Sequence, residues 1–220
     1  MIKAVIFDVD GVIIESAEIK TKAFELLFAD YPDKVGEIVD YHKRNAGISR
    51  YLKFRHFYEK ILCQELSSQK EAELGERFSR IVLEQVLNAP LVPGAMEFLS
   101  RNKDRYYFFI ASGTPDEELW NIIAYRQLSH LFREIHGTPK QKDEIIEDIL
   151  DRYSFEKNEV VFIGDAESDR TSAEKVGVFF IARITPDNHD LQDCRWRVND
   201  LTALDTMLEA IVTRKVDDNQ

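Results

Sequence analysis

Two aspartates one residue apart, Asp8 and Asp10, end the apolar run Val5-Ile6-Phe7 and stand directly before Gly11. The run is too short to span a membrane and too β-branched to favour a helix, so it reads as a buried strand. Strand alternation sets both carboxylates on one side, near the carboxyl end where open α/β sheets place their ligands. Carboxylates that close repel unless a cation or a shared proton intervenes. A strand ending in an ordinary polar turn is the plain alternative, and other strand ends decide between the two.

Three such ends follow. After Ile110-Ala111 comes Ser112-Gly113-Thr114-Pro115-Asp116-Glu117. Thr114 reads as an N-cap, Pro115 as the first helical residue and Glu117 as the far member of a capping box. The Ser112 hydroxyl and the Gly113 N–H then precede a helix N-terminus and suit a phosphate, unless the turn is merely a well-capped helix start. Thr138-Pro139-Lys140-Gln141 repeats the device, with Lys140 and Lys142 in or near a first turn whose dipole disfavours cations. Such a lysine meets either an anion or solvent. The last end, Gly164-Asp165-Ala166-Glu167-Ser168-Asp169, crowds carboxylates into one loop and suits a hard divalent cation, most simply Mg²⁺. An N-capping role explains Asp169 by itself, but not Asp165 and Asp169 together with Asp8 and Asp10.

The elements that must position these turns alternate. From Ala95 onward helices and apolar strands take turns, which implies a parallel sheet covered on both faces. Between Ser16 and about Leu87 only helical patterns occur, broken near Tyr31-Pro32, Ala46-Gly47 and Leu66-Ser67-Ser68. Ser16 is the expected cap of the first of these helices, with Ile19, Ala23, Leu26 and Leu27 on its buried side. The segment closes at Asn88-Ala89-Pro90-Leu91-Val92-Pro93-Gly94, the strongest linker signal in the chain, whose partner lies at Gly11 to Ser16. The expectation is an α/β, Rossmann-like parallel sheet with an all-helical cap inserted after the first strand. Residues 1–14 and 91–220 form the core and 15–90 the cap. A polar tail from Thr213 to Gln220 is expected to fray.

Composition narrows the function classes. In 220 residues, 44% are hydrophobic, with 14 Phe and 8 Tyr, enough for a packed core. A formal net charge of -11 opposes nucleic-acid or anionic-membrane binding as the main task. Two widely spaced cysteines, Cys63 and Cys194, fit a reducing compartment. With no signal-peptide layout and no membrane-length apolar run, a cytoplasmic protein is expected.

Taken together, the motifs DVDGV at Asp8, the SGT turn at Ser112, a lysine in the third turn and GDAESD at Gly164 resemble the haloacid dehalogenase (HAD) superfamily in order and separation. The helical insert and the closing Val92-Pro93-Gly94 are similar to the C1-capped branch, which contains phosphoglycolate phosphatases and β-phosphoglucomutases. The resemblance implies that Asp8 is a nucleophile forming an aspartyl-phosphate. It implies that Asp10 protonates the leaving oxygen and later deprotonates the hydrolytic water. Mg²⁺ would be held by the Asp8 carboxylate, the Asp10 backbone carbonyl and Asp165, with Asp169 as a further ligand or an anchor behind it. Ser112 and the Gly113 N–H would grip the phosphoryl group while a lysine neutralises its charge. Lys142 is preferred because it precedes the apolar pattern Ile145, Ile146, Ile149 and Leu150; Lys140 is the alternative. An acid two residues after the nucleophile is absent from dehalogenases of the family, so Asp10 points to phosphate esters. The implied function is a Mg²⁺-dependent phosphatase of a small phosphorylated metabolite, with a sugar-phosphate mutase or a non-catalytic binding protein as alternatives.

Substrate choice falls to the insert. Between Asp40 and Glu59 there is no acidic residue, yet His42, Lys43, Arg44, Arg50, Lys53, Arg55 and His56 all occur. Arg44 and Arg50 flank the break at Ala46-Gly47 and are the candidates for gripping an anionic substrate. A solvated basic helix face is the alternative. The interleaved Tyr51, Phe54, Phe57 and Tyr58 have the spacing of a packed stripe.

Overall fold

A computed structural model describes residues 1–185 and 188–217. The first strand, β1 (Ala4–Phe7), is buried at every position, as a strand with neighbours on both edges and helices on both faces must be. The four α-helices of the insert follow. They are α1 (Ala17–Leu27), α2 (Val35–Arg44), α3 (Arg50–His56), which continues into a π-helical turn at Phe57–Ile61, and α4 (Ser68–Asn88). The alternating part then comprises α5 (Ala95–Asn102), β2 (Tyr107–Pro115), α6 (Asp116–Tyr125), β3 (Glu134–Thr138) and α7 (Lys142–Tyr153). It closes with β4 (Val160–Gly164), α8 (Glu167–Val176), β5 (Phe179–Arg183), β6 (Arg197–Val198) and α9 (Leu204–Asp217).

The strands form a single sheet in the order β3-β2-β1-β4-β5-β6, with every pairing parallel. This is the expected Rossmann-like α/β architecture. Strand order reverses between β1 and β4, which opens a crevice at their carboxyl ends. Phe7 lies opposite both Ile110 and Ile163, so the residues that leave these three strands emerge at one level. That register is what brings Asp8, Ser112 and Asp165 into one place.

Alternation along β1 divides the core. Val5 and Phe7 pack with residues of α5, α6 and α9 on one face, and Ala4 and Ile6 with residues of α7 and α8 on the other. Phe7 is fully buried and meets Phe98, Phe108 and Phe132 edge-on, with centroids 6.3, 5.7 and 6.3 Å away. The inserted helices carry their own aromatic cluster. Phe24 lies 4.6 Å from Phe78 and 5.6 Å from Phe57, and Phe28 lies 5.3 Å from Phe57. Phe54, Phe57 and Tyr58 are buried, as their spacing predicts. The two passages joining the helices to the sheet run side by side: Glu15 N–H donates to the Pro90 carbonyl at 3.0 Å and Val92 N–H to that of Ile13 at 3.0 Å.

Some local expectations do not hold. Leu26 is 61% exposed, because the helical period puts Ala23, Phe24 and Leu27 on the inner face of α1 instead. The Ser16 side chain does not cap α1; its hydroxyl is drawn to Asp10. The helix α9 runs on to Asp217, into the tail expected to fray, while residues 218–220 lie outside the described residues. Among the described residues no helix is long and apolar enough to cross a membrane.

Because Phe7 fills the centre of one sheet face, Phe7→Ala is expected to cost about 3–5 kcal/mol through lost burial and a residual cavity. Phe7→Leu, which keeps most of the volume, should cost clearly less. Urea unfolding of the two variants checks this ordering.

Candidate active site

Asp8 leaves β1 into the crevice and is almost fully buried, at 2% exposure. Its Oδ1 accepts from its neighbour's backbone, Val9 N–H, at 2.7 Å, and its Oδ2 accepts from Lys142 Nζ at 2.8 Å. The same ammonium donates to Asp169 Oδ1, a second buried pair. Carboxylate oxygens of Asp8, Asp165 and Asp169 all lie within 4.8 Å of one another. Two strand ends and two helix starts are therefore needed to assemble one charge cluster.

Its electrostatics follow from burial. Asp165 is pushed well above the usual carboxylate range, first by loss of water and then by the Asp8 and Asp169 charges, with Lys142 opposing. Asp169 is raised to about 6, again chiefly by burial, with Lys142 countering and Asp8 adding to it. Burial alone would pull the Lys142 ammonium down, but Asp169 and Asp8 outweigh it and raise it above its ordinary value. With all three carboxylates ionised and one ammonium among them, two negative charges stay unmatched. The donors are hard oxygens, and among the described residues no hydrogen bond is made to the Asp165 carboxylate. The set fits a divalent cation such as Mg²⁺.

Asp10 does not belong to that cluster. Alternation placed it beside Asp8, with one cation between the two, but β1 ends at Phe7 and the chain turns away. Asp10 has its own partners: Ser16 Oγ donates to Oδ1 at 2.6 Å, Thr114 Oγ1 to Oδ2 at 3.1 Å, and Lys20 Nζ pairs with Oδ2. Lys20 also donates to Thr114 Oγ1 at 2.7 Å. Burial would raise this carboxyl, but the Lys20 charge and the three hydrogen bonds prevail and hold it below the usual range. Each aspartate therefore has its own cation. The expected metal-binding role of Asp10 is through its backbone carbonyl, and its carboxylate is engaged elsewhere.

The other turns depart from their sequence reading in detail. Strand β2 continues through Pro115 and α6 starts at Asp116 without a side-chain cap, so Ser112 and Gly113 belong to a strand end rather than a helix start. Thr114 turns to Asp10 and Lys20 instead of capping. Ser112 Oγ accepts from Thr114 N–H at 3.2 Å, which leaves its own proton to donate. Helix α7 begins at Lys142, not after Thr138, and Gln141 N–H is capped by Glu144 Oε2 at 2.9 Å. That later start puts Lys142 in the crevice, whereas Lys140 is exposed and pairs with Asp148.

The inserted helices roof the crevice. Ser168 Oγ donates to the Ala46 carbonyl at 2.8 Å. Gly47, at φ +78°, lies so close that a Cβ there would overlap the Ser168 hydroxyl and come within 3.2 Å of Lys142 Nζ. Asp8, Asp10, Gly113 and Asp165 share the walls of one cavity of about 440 Å³ with cap residues, Arg44 and Arg50 among them. Arg44 is exposed, its Nε on the Asp40 carbonyl at 3.3 Å. Arg50 is 4% exposed and forks onto Glu118 of α6, at 3.0 and 2.6 Å, with Ser79 as a further acceptor at 2.8 Å.

Sequence reasoning missed the partners of Asp10, the Arg50–Glu118 pair, and the special position of Lys53 within the basic island. Lys53 is buried on the cavity wall, its Nζ 2.8 Å from His42 Nδ1. No local pattern announces such pairs, since 94 residues separate Lys20 from Thr114 and 68 separate Arg50 from Glu118. The only available sign was an uninterrupted basic stretch in an acidic chain.

The raised carboxyls fix a pH response. Asp165 and Asp169 hold protons in the folded chain that the unfolded chain releases from about pH 4 upward. Stability of the metal-free protein should therefore fall as pH rises through the Asp169 value of about 6. Asp165→Asn is expected to raise the melting temperature in a chelator, little near pH 4 and increasingly toward pH 8. A melting-temperature series across this range checks it; a uniform drop at all pH values would contradict the charge reading.

A model of the haloacid dehalogenase-like hydrolase family matches residues 2–177. Over 198 residues the chain is 24% identical to a phosphoglycolate phosphatase of Aliivibrio fischeri, covering 86% of each chain. It is also 24% identical over 198 residues to a phosphorylated carbohydrates phosphatase of Thermotoga maritima, covering 87% of this chain and 88% of that one. Among solved structures, a β-phosphoglucomutase from Clostridium difficile superposes with a TM-score of 0.76 at 20% identity, covering 98% of this chain and all of the other. With four strand-end motifs assembled into one crevice and the family match spanning most of its length, the chain belongs to the haloacid dehalogenase-like hydrolases.

Proposed function

We propose that this protein is a Mg²⁺-dependent phosphatase that hydrolyses a small phosphorylated metabolite through an aspartyl-phosphate on Asp8. The observation that carries the reading is the separate engagement of two aspartates at one cavity. Asp8 is oriented by Val9 N–H and Lys142, while Asp10 is held apart by Ser16, Lys20 and Thr114. One carboxylate is thus positioned to attack and the other to move protons. The names of the curated relatives, phosphatases of phosphoglycolate and of phosphorylated carbohydrates, support the same class of chemistry.

Asp8 attacks phosphorus, and the bond from phosphorus to the leaving alkoxide oxygen breaks. Asp10, which takes up a proton from solvent before the step, delivers it to that oxygen and is left ionised beside Lys20, Ser16 and Thr114. In the second half Asp10 takes a proton from water, the water oxygen bonds to phosphorus, and the link to Asp8 breaks to release phosphate. Ser112 and the Gly113 N–H hold phosphoryl oxygens, and Lys142 offsets the charge that gathers on them. Asp8, Asp165 and the Asp10 carbonyl, with Asp169, would hold Mg²⁺, which when bound supplies positive charge to the phosphoryl oxygens. In this reading 1–14 and 91–220 act as the catalytic core and 15–90 as a cap. The two adjoining passages at Ile13–Glu15 and Pro90–Val92 serve as its hinge, and Arg50 holds the cap down through Glu118.

A mutase is the second reading, favoured by one observation: the roofed site leaves Asp8 and Ser112 almost without exposure, which would shield an intermediate from water. Assaying free phosphate against isomerised sugar phosphate separates the two. For the phosphatase reading, Asp8→Asn is expected to lower phosphate release on a phosphometabolite panel by about a thousandfold or more. Chelation should abolish activity and Mg²⁺ restore it. Undiminished turnover by Asp8→Asn, or full activity in excess chelator, would sink the mechanism.

A further inference from the structure

The buried cations on the cavity wall are Arg50, Lys53 and Arg183. Arg50 is paired with Glu118, and Arg183 with Glu15. Lys53 stands apart. It is 3% exposed, and among the described residues no carboxylate lies within ion-pair distance of it. Its neighbours are His42 Nδ1 at 2.8 Å and the Phe24 ring, 5.6 Å from Nζ. His42 brings no charge: burial first, then Lys53, Lys20 and Lys43, press it down to about 2. Burial, followed by the Lys20 and Lys142 charges, likewise presses the Lys53 ammonium well below its ordinary value, with Asp10 countering and Arg50 adding. A long basic side chain buried this way is costly unless an anion arrives to meet it. Lys53 also lines the same cavity as Asp8 and Asp10, where a ligand can supply that anion.

We propose that Lys53 is the cap's anion grip, a binding residue that takes a second negative group of the substrate, remote from the phosphoryl group handled at Asp8. The proposal rests on the phosphatase reading of the site and names its substrate class: phosphomonoesters that carry a further anion. The charge count favours a carboxylate. Among the buried groups Lys53 brings one positive charge, Arg50 is committed to Glu118 and His42 is neutral, while Lys20 is paired with Asp10 and Lys43 and Arg44 are exposed, so a second phosphoryl dianion would find one buried partner for two charges. The donor count agrees. With one ammonium hydrogen on His42 Nδ1, two remain, the number that two carboxylate oxygens can accept.

The test compares wild type, Lys53→Met and Lys53→Arg on phosphoglycolate, propanediol bisphosphate and ethyl phosphate. Lys53→Met keeps the stem and removes the charge. It is expected to raise KM for phosphoglycolate about ten- to a hundredfold with kcat nearly unchanged, and to leave ethyl phosphate kinetics as they were. Lys53→Arg should recover part of the loss. The melting temperature without ligand should hold or rise, since a buried unmatched cation is gone. Equal changes on all three substrates, or none, would overturn the proposal, and a larger KM rise for the bisphosphate would overturn the carboxylate assignment. If wild type hydrolyses none of them but releases phosphate from other members of the phosphometabolite panel, the named substrate class is overturned; if it hydrolyses nothing on the panel, the phosphatase reading fails. The grip is then judged by thermal shift with phosphoglycolate: a shift in wild type that Lys53→Met lacks supports it, and equal shifts overturn it.

Discussion

Three carboxylates and one ammonium share a crevice from which water is nearly excluded, and the remainder of the architecture can be derived from that imbalance. Asp8, Asp165 and Asp169 sit within reach of one another with only Lys142 between them. Charges this close in a poorly solvated site repel strongly, and a protein tolerates them only where the backbone leaves no alternative. Here the backbone is a parallel sheet whose strand order reverses between β1 and β4. Burial of those strands on both faces fixes where they end, so the aspartates cannot move apart. The fold thus stores a demand for positive charge that a proton on Asp165 meets in part and a divalent cation would meet in full.

The second aspartate is useful because it is excluded from that arrangement. Had Asp10 joined the cluster, its proton affinity would rise with the others and depend on the same cation. Lys20, Ser16 and Thr114 instead form a separate small network, drawn from α1 and from the end of β2. Carboxylates that share one crevice are thereby driven in opposite directions, Asp10 below the usual range and the Asp165–Asp169 pair above it. Environments that push neighbouring titratable groups apart are the usual basis for assigning different chemical roles to them.

The fold was readable because its strands are short, apolar and buried, and because each ends in residues whose chemistry differs from what precedes them. The alternation of β-branched runs with helical periods specifies the sheet without reference to distant contacts. The turns were readable in composition but not in geometry. Thr114-Pro115 and Thr138-Pro139 carry a helix-start signature, yet in the first case the strand runs on through the proline and in the second the helix waits until Lys142. Tertiary partners outbid the local cap: Thr114 is worth more on Asp10 and Lys20 than on its own helix. The same competition took Ser16 from α1. Lys53 could not be singled out from sequence, because its distinction lies in having, among the described residues, no carboxylate within ion-pair distance, and neighbours across the cap define that.

The cap's contacts with the core are of a kind that fixes geometry more than it adds adhesion. They include a forked Arg50–Glu118 pair, a hydroxyl on the Ala46 carbonyl, and two glycines, Gly47 and Gly113, packed backbone to backbone. A buried ion pair returns little more than its desolvation cost, while its geometry is strict. The aromatic cluster of Phe24, Phe28, Phe57 and Phe78, by contrast, ties the inserted helices mainly to each other. Under the proposed function such a cap would keep its own packing while its hold on the core is released to admit substrate. Lys53 sits on the cap side of that division, against Phe24 and His42, so the proposed grip is carried by the inserted helices rather than by the residues around Asp8. In the proposed grip a ligand with a matching anion would offset the cost of that buried charge, and one without it would not. Selectivity would then arise from that difference between ligands, without any change in the residues that handle the phosphoryl group.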